Sequence, residues 1–338
     1  MSTHGRFQNP IEAALTGIKD LFGRQELEEA LTDDLRIDGR TCLVTGASSG
    51  LGFAVATQLA ARGGRVLTVS RSGIPEAGEE IRRLSGSTEV EMLRADLSDL
   101  KQVHELADDL ASRNERIDLL VDNAGIATPR ARKTAQGLDA MFVTNFLSKF
   151  LLSNRLLRDG TIRNTTFATA PRGDAPMPRI LFVSSDSHQG ASSIDWDDFG
   201  RYVDYEVNRG ISNYSYFKLV LNTFGCELAR RLAPAGEIDV AAHVMCPGPV
   251  NSDIARDAPP ALKAFLKLVF RLAFRAPEVA ARPAVYACVS PAFEAETNRY
   301  LHMFNPKQMD EKCYDGVEGA NLWERSISLC TEVGAWPY

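Results

Sequence analysis

The chain has 338 residues, of which 44% are hydrophobic and 24% charged, and it contains 25 glycines and 16 prolines. These proportions are typical of a globular protein and argue against a disordered, collagen-like or disulfide-rich chain. With 38 basic and 44 acidic residues the net charge is −6 at pH 7, which disfavours a general nucleic-acid binder because such proteins present a basic surface.

The first 38 residues are predicted to form a helical extension. Apolar residues recur there at helical spacing: Ile11, Leu15, Ile18, Leu21 and Phe22. The segment 27–35 extends this pattern, with acidic residues between the leucines. An amphipathic helix packed on the main domain or on a sister subunit is the simpler interpretation, and a functional arm is the alternative.

From residue 41 onward, short apolar strands alternate with helices. Strands are predicted at 41–45, 65–70, 89–94, 117–121, 180–184 and 240–245, and helices at 50–62, 76–84, 99–113, 138–157, 214–232 and 317–329. Strands that are apolar throughout are typical of a parallel sheet that is covered on both faces. We therefore predict an α/β fold, a doubly wound parallel sheet with helices on both faces, in one domain spanning 39–338.

Two polar segments interrupt this alternation. Residues 159–179 are predicted to form a surface loop or hairpin, and residues 189–213 a long insertion rich in aspartate and aromatic residues. Long loops in a compact domain are often functional. Surface decoration explains the first segment equally well.

A glycine-rich turn follows the first strand and precedes the first helix of the sheet. Residues 45–52 read TGASSGLG, and glycines in this context allow a tight turn and a close approach of the backbone to a pyrophosphate. Amides at the helix start supply an anion site. The turn predicts dinucleotide binding by Gly46, Ser48, Ser49, Gly50, Leu51 and Gly52.

A second group of residues carries acid–base chemistry. Tyr214 and Lys218 are four residues apart, so they lie one turn apart on one face of a helix. A free tyrosine has a pKa of about 10, and a nearby ammonium lowers that pKa, which suits proton exchange with a carbonyl or alcohol oxygen. Tyr216 faces a different side, whereas Ser185, at the end of a strand, can hydrogen-bond the same substrate oxygen.

These motifs, in this order, resemble the short-chain dehydrogenase/reductase family. The turn has TGxxxGxG spacing, and it is followed by Asp96-Leu97, Asn123-Ala124-Gly125, Asn145, Ser184-Ser185, the Tyr214/Lys218 pair and the run PGPVNS at 247–252. The run SSDSH at 184–188 and the dipeptide Leu322-Trp323 are most similar to the retinol dehydrogenase-like and DHRS-type branch. The resemblance spans 41–252 and implies a Rossmann-type fold and an NAD(P)-dependent oxidoreductase.

The resemblance also implies a role for particular residues. The catalytic residues would be Asn145, Ser185, Tyr214 and Lys218, with Asn145 ordering a water and the lysine; Ser187 is a distant alternative to Ser185. Further cofactor contacts would come from Asp96, Leu97, Asn123, Ala124, Gly125, Pro247, Gly248, Val250 and Ser252. The usual Asn-Asn-Ala-Gly of the family begins with Asp122 here, a departure that concerns local detail.

The end of the second predicted strand bears on the choice of cofactor. A carboxylate there would hydrogen-bond the ribose 2′-OH of NAD, but this chain has Ser70-Arg71-Ser72. A guanidinium and hydroxyl groups suit a phosphate. We therefore expect NADP(H) to be preferred and NAD(H) to be possible, with a solvated surface arginine as the alternative reading of Arg71.

The substrate is expected to be a small hydrophobic carbonyl or alcohol, such as a retinoid, a steroid or another lipophilic ketone or aldehyde. By resemblance, residues 249–277 are the substrate-binding loop, and 260–275 combine apolar residues with a cation every four positions. A lid helix is the simpler interpretation, and contact with a membrane surface is the alternative. The competing functions are a catalytically silent NADP(H)-binding sensor or scaffold, C=C reduction, and sugar epimerisation.

Location and assembly are predicted more coarsely. No basic region followed by an apolar run opens the chain, and no stretch approaches the roughly 20 apolar residues that span a bilayer. The six cysteines form no C-x-x-C pair, so we expect reduced, mostly buried thiols and no metal site. We expect a cytoplasmic protein and, because many relatives pair through the two long helices, a homo-oligomer.

Overall fold

Eight strands form one sheet in the computed structural model, which describes residues 25–205, 207–250 and 275–336. The strands are β1 Thr41–Thr45, β2 Arg65–Ser70, β3 Val90–Arg94, β4 Leu119–Asp122, β5 Arg179–Val183, β6 Ala241–Cys246, β7 Tyr300–His302 and β8 Asn305–Lys307. Their order is β3-β2-β1-β4-β5-β6-β7-β8, and every pairing is parallel except that of β7 with β8. The predicted doubly wound sheet is confirmed, and β7 and β8 are strands that the sequence patterns missed.

Helices cover both faces of this sheet. They are α1 Gly50–Ala61, α2 Glu76–Ser85, α3 Leu100–Ser112, α4 Ser148–Arg158, α5 Val207–Arg231, α6 Pro277–Val289 and α7 Gly316–Glu332. A short helical turn, Ala140–Phe142, and a π-helical turn, Val143–Leu147, lead directly into α4. Helices α1 and α6 pack together on one face, while α3 packs on α4 and α7 on α5 on the other.

Alternating side chains of the strands supply two separate cores. In β1, Leu43 contacts the core that contains α3, α4, α5 and α7, whereas Cys42 and Val44 contact the core that contains α1 and α6. Both sets are fully buried, because a parallel sheet between two helical layers has no solvated face. All six cysteines are buried and none is disulfide-bonded.

The carboxyl ends of β1 and β4 meet where the strand order changes direction. From β1 the chain builds outward through β2 and β3, and from β4 it builds the other way through β5 and β6. Diverging connections leave a crevice at this point, which is the usual ligand position in open α/β sheets. The predicted cofactor and catalytic segments all follow strands that end at this edge.

Besides β7, β8 and α6, which no predicted element covers, the structure differs from the predicted elements at segment 27–35 and at the start of α5. Segment 27–35 contains a single 3₁₀ turn, Glu28–Ala30, so its predicted helix is wrong; its backbone instead bonds to the β7–β8 hairpin, with Leu27 N donating to Phe304 O at 3.1 Å. Helix α5 begins at Val207, seven residues before its predicted start, which shortens the predicted 189–213 insertion to a turn and an irregular stretch.

The remaining loops agree with their predictions or lie outside the description. Segment 159–178 contains one antiparallel bridge, Asn164 to Ala170, as expected for a loop or hairpin. The extension up to residue 24 and loop residues 251–274, including most of the predicted 260–275 helix, lie outside the described residues. Within the described ranges, no helix is both long and apolar enough to cross a bilayer.

Candidate active site

The glycine turn is held against the end of β4. Gly46 adopts a φ of +68°, and a Cβ on this residue would lie 2.9 Å from Ala124 Cα. A Cβ on Gly52 would lie 2.4 Å from both Asn123 Nδ2 and Gly46 O. The Ser49 side chain caps no amide at the start of α1. Glycine is therefore required for this close packing, and the start of α1 lines the crevice, where the first amides of a helix can bind an anion.

Hydrogen bonds tie β1 to β4 beneath this turn. Asn123 Nδ2 donates to Thr45 O at 2.9 Å and to Gly46 O at 3.3 Å. Thr45 Oγ1 donates to Asp122 Oδ1 at 2.8 Å and accepts from Ala124 N at 3.0 Å. Asn123 thus braces the turn, and Asp122 takes part in the same network.

A cavity of about 550 Å³ extends along this edge of the sheet. It brings together nearly all of the predicted site residues within the described ranges: Gly46, Ser48, Ser49, Gly50, Leu51, Gly52, Ser70, Arg71, Asp96, Leu97, Asn123, Ala124, Gly125, Ser185, Tyr214, Lys218, Pro247, Gly248 and Val250. Ser252 lies outside the described residues. Arg132, Lys133 and Thr134 also line the cavity, although no sequence signal marked them.

Tyr214 and Lys218 lie on one face of α5, as their spacing predicts. Lys218 Nζ is 5.4 Å from the centre of the Tyr214 ring and donates to Val183 O at 3.1 Å. The Tyr214 hydroxyl is hydrogen-bonded to Ser185, which follows β5 and caps a short turn by accepting from Ser187 N at 3.2 Å. Tyr216 points elsewhere, toward the backbone of Asp195.

The proton affinities of this pair depart from their ordinary values. Burial raises the pKa of Tyr214, and the nearby Cys246 adds to this rise, while the hydrogen bond from Ser185 opposes it. The expected lowering of the Tyr214 pKa is therefore not found, because the cost of an anion in this buried position outweighs the neighbouring groups. Burial and repulsion from Lys149 lower the pKa of Lys218 to about 7.

Asn145 lies behind the cavity in the π-helical turn. Its Nδ2 donates to Ile126 O at 2.8 Å and to Met141 O at 2.9 Å, and its Oδ1 accepts from Ile126 N at 3.2 Å. A Cβ on Gly125 would lie 2.8 Å from Asn145 Oδ1 and 3.8 Å from Lys218 Nζ. Asn145 and Lys218 thus flank the same glycine, and a π-helical turn often marks a functional segment.

The other end of the cavity is basic. Arg71 follows β2, is about half exposed, and has its Nη1 3.9 Å from Asp96 Oδ2. Asp96 Oδ1 accepts from Ser98 N at 2.9 Å and from Ser98 Oγ at 2.7 Å. Arg94 Nη1 donates to the backbone oxygen of Arg71 at 3.2 Å, so Arg94 supports the segment that carries Arg71. Sequence reasoning did not single out Arg94.

A buried ionic cluster lies directly behind Ser185. Asp186 accepts from Lys307 Nζ at 2.6 Å and from the Tyr300 hydroxyl, and it lies 2.7 Å from His302 Nδ1. The His302 and Lys307 side chains outweigh burial and hold the pKa of Asp186 far below its usual range. The cluster depends on β7 and β8, which the sequence patterns missed.

One grouping in this cluster has the donor types of a metal site. Single donor atoms of Asp186, Cys246 and His302 all lie within 4.8 Å of one another. The Lys307 ammonium, however, already neutralises Asp186 at 2.6 Å, and a second cation there would be repelled. We therefore interpret the group as an ion cluster. His188, also nearby, is a buried structural residue whose Nε2 accepts from Asp310 N at 3.1 Å.

The cavity fits a dinucleotide on several independent counts. The turn admits no side chain at Gly46 or Gly52, the start of α1 offers amide donors, and the Ser70 hydroxyl is buried without a partner at the end of β2. Such an unsatisfied buried group is rare in a protein interior. The residues therefore suit a nucleotide whose pyrophosphate lies at the glycine turn and whose adenosine end lies toward Arg71.

Comparison with known proteins identifies the same family that the sequence motifs resemble. The sequence profile of the short chain dehydrogenase family matches residues 40–174. Retinol dehydrogenase 13 of Mus musculus is 31% identical over 300 residues, covering 87% of this chain and 84% of the relative. Dehydrogenase/reductase SDR family member 13 of Bos taurus is 32% identical over 300 residues, covering 86% and 73%.

A solved structure also matches the fold. A protein described as an NAD(P)-dependent gluconate 5-dehydrogenase from Beutenbergia cavernae, with NADP bound at low occupancy, is 25% identical with a TM-score of 0.57, covering 80% of this chain and 97% of that one. Together with relatives above 30% identity over most of their length, this shows that the chain belongs to the short-chain dehydrogenase/reductase family, in its retinol dehydrogenase and DHRS branch, and is an oxidoreductase acting on CH–OH and C=O groups with NAD(P).

Proposed function

We propose that this enzyme interconverts a lipophilic carbonyl compound and its alcohol with NADP(H), using Tyr214 as the acid and base. The observation that carries the proposal is the grouping of Tyr214, Lys218 and Ser185 at one end of the cavity whose other end is formed by the glycine turn. A proton donor, an anchoring hydroxyl and a nucleotide site are the parts that carbonyl reduction requires.

The residues of the chain supply the proton and the orientation. Bound NADPH supplies a hydride to the carbonyl carbon. Ser185 donates a hydrogen bond to the substrate oxygen, and Tyr214 gives its hydroxyl proton to that oxygen, so that the carbonyl gains one hydride and one proton. Lys218 lies on the same face of α5 as Tyr214 and stabilises the phenolate left behind when its amine is charged. Alcohol oxidation reverses each transfer.

The basic end of the cavity supports NADP(H) over NAD(H). Arg71 lines the cavity just after β2, where the ribose 2′ position of the adenosine is expected, and Ser70 adds a buried hydroxyl. The Asp96 carboxylate lies 3.9 Å from Arg71, and it is already bonded to Ser98. The Arg71 guanidinium and the Ser70 hydroxyl suit a 2′-phosphate, which a carboxylate at this position would repel.

A lipophilic substrate is supported by the relatives and by the sequence of the loop. The mouse relative is named as a retinol dehydrogenase, and the loop 249–277 carries Phe265, Leu266, Leu268, Val269 and Phe270. A retinoid, a steroid or a similar hydrophobic ketone or aldehyde fits both observations. If the cations of 260–275 face an anionic membrane, the loop would take its substrate from the bilayer surface.

Assembly and location stay predictions. The face of α4 and α5 through which relatives are expected to pair is covered by this chain's own aromatic residues: Trp323 lies 5.3 Å from Phe150 and 6.0 Å from Phe224 between ring centres, and Trp336 lies 5.6 Å from Phe150. A homo-oligomer through that face would have to displace α7, so we expect any oligomer to use another surface. We also expect the protein to be cytoplasmic.

The function is tested by NADPH oxidation with a panel of hydrophobic aldehydes, ketones and quinones that includes retinal. We expect turnover with NADPH, and we expect Tyr214→Phe to lower kcat by about 10²- to 10⁴-fold because it removes the proton donor. NADPH binding, measured by fluorescence, should persist in this variant. Tyr216→Phe is the matched control, since its ring is two residues away on another side of α5.

The outcomes separate the competing functions. Equal activity of Tyr214→Phe and the wild type would contradict the proposed role of Tyr214. NADPH binding without turnover of any carbonyl would favour a sensor or scaffold. Consumption of NADPH with an enone whose C=C bond alone is reduced would favour C=C reduction as the function.

A further inference from the structure

A buried ion pair lies beneath the proposed active site. Lys149 Nζ donates to Asp122 Oδ1 and to Asp122 O, both at 2.9 Å. Each side chain is 1% exposed. Asp122 ends β4, next to the Asn123 that braces the glycine turn, and Lys149 lies in α4, one helical turn after Asn145.

Such a pair is a costly way to fill an interior. Removing two charges from water cancels much of their attraction, so a neutral pair of similar size is often as stable. At position 122 the family pattern has an asparagine, whereas this chain has an aspartate. The carboxylate and the ammonium therefore occur here together, each compensating the other, and Asp122 Oδ2 is left without a hydrogen-bond partner.

The pair is connected to both halves of the site. Through Thr45 Oγ1, which donates to Asp122 Oδ1 at 2.8 Å, it reaches the start of the glycine turn. Through α4 it is continuous with the π-helical turn that carries Asn145. A substitution in the pair is therefore expected to affect both the glycine turn and the π-helical turn, which border the cavity.

The Lys149 ammonium lies close to Lys218 across two neighbouring strands. Lys149 Nζ donates to Asp122 O at the end of β4, Lys218 Nζ donates to Val183 O at the end of β5, and Asp122 is paired in register with Phe182, the residue before Val183. After burial, repulsion from Lys149 is the main cause that lowers the pKa of Lys218 to about 7, whereas Cys246 and Asp122 raise it. The charged or titratable groups that face Lys218 are thus Tyr214 on its own helix, Asp122 on β4, Lys149 on α4 and Cys246 on β6. Among these four, Lys149 is the cation.

We propose that Lys149 is a positioning residue of this active site: paired with Asp122, it places a fixed positive charge behind Lys218 and so sets the pH range in which the Tyr214–Lys218 pair exchanges protons. The proposal rests on the proposed function, in which that pair carries the proton. Removing a positive charge makes protonation of every neighbouring group easier. Neutralising Lys149 therefore shifts the titration of Lys218 to higher pH.

The direct test is a ¹³C NMR titration of the lysine side chains, which needs neither substrate nor cofactor. The chain has nine lysines, so an ε-¹³C-lysine spectrum is tractable, and the signal of Lys218 is the one lost in Lys218→Arg. We expect a wild-type midpoint of about 7. In Lys149→Met the midpoint should rise by about one pH unit, and in Lys149→Arg, which keeps the charge, it should stay near the wild-type value.

Two further variants separate the charge from the loss of packing. Asp122→Asn combined with Lys149→Met removes both charges, folds without an unpaired carboxylate, and should give a smaller upward shift because the attraction of Asp122 is lost as well. Glu294→Gln breaks a partly buried pair, that with Arg179 at the opposite end of the sheet, and should leave the Lys218 midpoint unchanged. An unmoved midpoint in both Lys149→Met and the double variant, or an equal shift in Glu294→Gln, would overturn the proposal.

Activity provides a second, separable readout. The pH profile of kcat should move to higher pH in Lys149→Met and stay in place in Lys149→Arg. If the NMR midpoint moves but no carbonyl substrate is turned over, the charge of Lys149 acts as proposed and the proposed function is wrong. If turnover is found and the midpoint stays fixed, the proposed function stands and the proposed role of Lys149 is wrong.

Discussion

The two ends of the sheet differ in how their buried polar atoms are hydrogen-bonded. At the amino-terminal end, Arg179 opens β5, and its Nη1 donates to three carbonyl oxygens at 2.7–2.9 Å while its Nη2 bonds to Glu294 at 2.5 Å. At the carboxyl end, Asp122 Oδ2, Thr144 Oγ1 and Ser184 Oγ are buried and have no hydrogen-bond partner among the described residues. Within the described residues, the Nε atoms of Arg179 and Arg40 also lack a partner, but the other donors of Arg179 are bonded within the chain. The unsatisfied atoms at the carboxyl end are acceptor oxygens, and those of Thr144 and Ser184 belong to residues that line the cavity.

This difference separates stability from function in the molecule. A satisfied cluster contributes to the free energy of unfolding, whereas an unsatisfied polar atom costs free energy in the folded protein. Polar groups of the second kind persist where a ligand or a reaction uses them. We therefore expect substitutions at the amino-terminal end to change stability and those at the carboxyl end to change binding, turnover or pH dependence.

The largest expected effect is that of Arg179→Met. It leaves Glu294 with Arg40 alone, at 3.1 Å, and strands three carbonyl oxygens, so the free energy of unfolding should fall by about 3 kcal/mol. Urea denaturation measures this loss. The Kd of NADPH for the folded protein should be unchanged, and a Kd that rises in parallel with the loss of stability would contradict the separation of the two ends.

Most of the fold could be predicted, because long stretches of regularly spaced apolar residues are compatible with only one type of secondary structure. The strands β1, β2 and β5 and the helices α1 and α3 begin and end within a residue or two of their predicted bounds. Strands β7 and β8 were missed because three residues are too few to show alternation. The segment 27–35 has helical spacing but bonds to Phe304 instead, since tertiary contacts override a short local pattern.

The site could be predicted where its residues form a motif and not where they meet only in space. Tyr214, Lys218 and the glycine turn have fixed spacings, so sequence indicated them together. Lys149 belongs to no motif, and its relation to Asp122 depends on a helix crossing the end of β4. His302 and Lys307 reach Asp186 through the missed hairpin, over a sequence separation of more than a hundred residues.

A middle-sized effect is expected from His302 at the carboxyl end. Burial opposes its charge, but Cys246 and Asp186 raise the pKa of His302 from 6.5 to about 10. Because the folded state binds this proton more tightly than the unfolded state, the stabilisation is complete below pH 6.5 and is lost as the pH rises toward 10. We expect the free energy of unfolding to fall by about 2 kcal/mol between pH 6.5 and about 8.

The variant His302→Gln isolates this contribution. Glutamine bonds without titrating, so the pH dependence of its stability over this range should be flatter than that of the wild type. Urea midpoints at several pH values measure the difference. Identical slopes in the two proteins would show that the histidine is neutral in the folded state and that Lys307 alone balances Asp186.

The smallest expected effect lies at the basic end of the cavity. Arg71 is about half exposed, so solvent weakens its attraction for a phosphate, and Arg71→Gln should raise the Kd of NADPH by about tenfold. The Kd of NADH and the stability should stay the same, because NADH has no 2′-phosphate. Arg94→Gln is the matched control: Arg94 bonds to the backbone of Arg71, and its loss should weaken NADPH binding by less. Equal losses for NADPH and NADH in Arg71→Gln would mean that this arginine shapes the end of β2 without recognising the phosphate, and the preference for NADP(H) would then lose its main support.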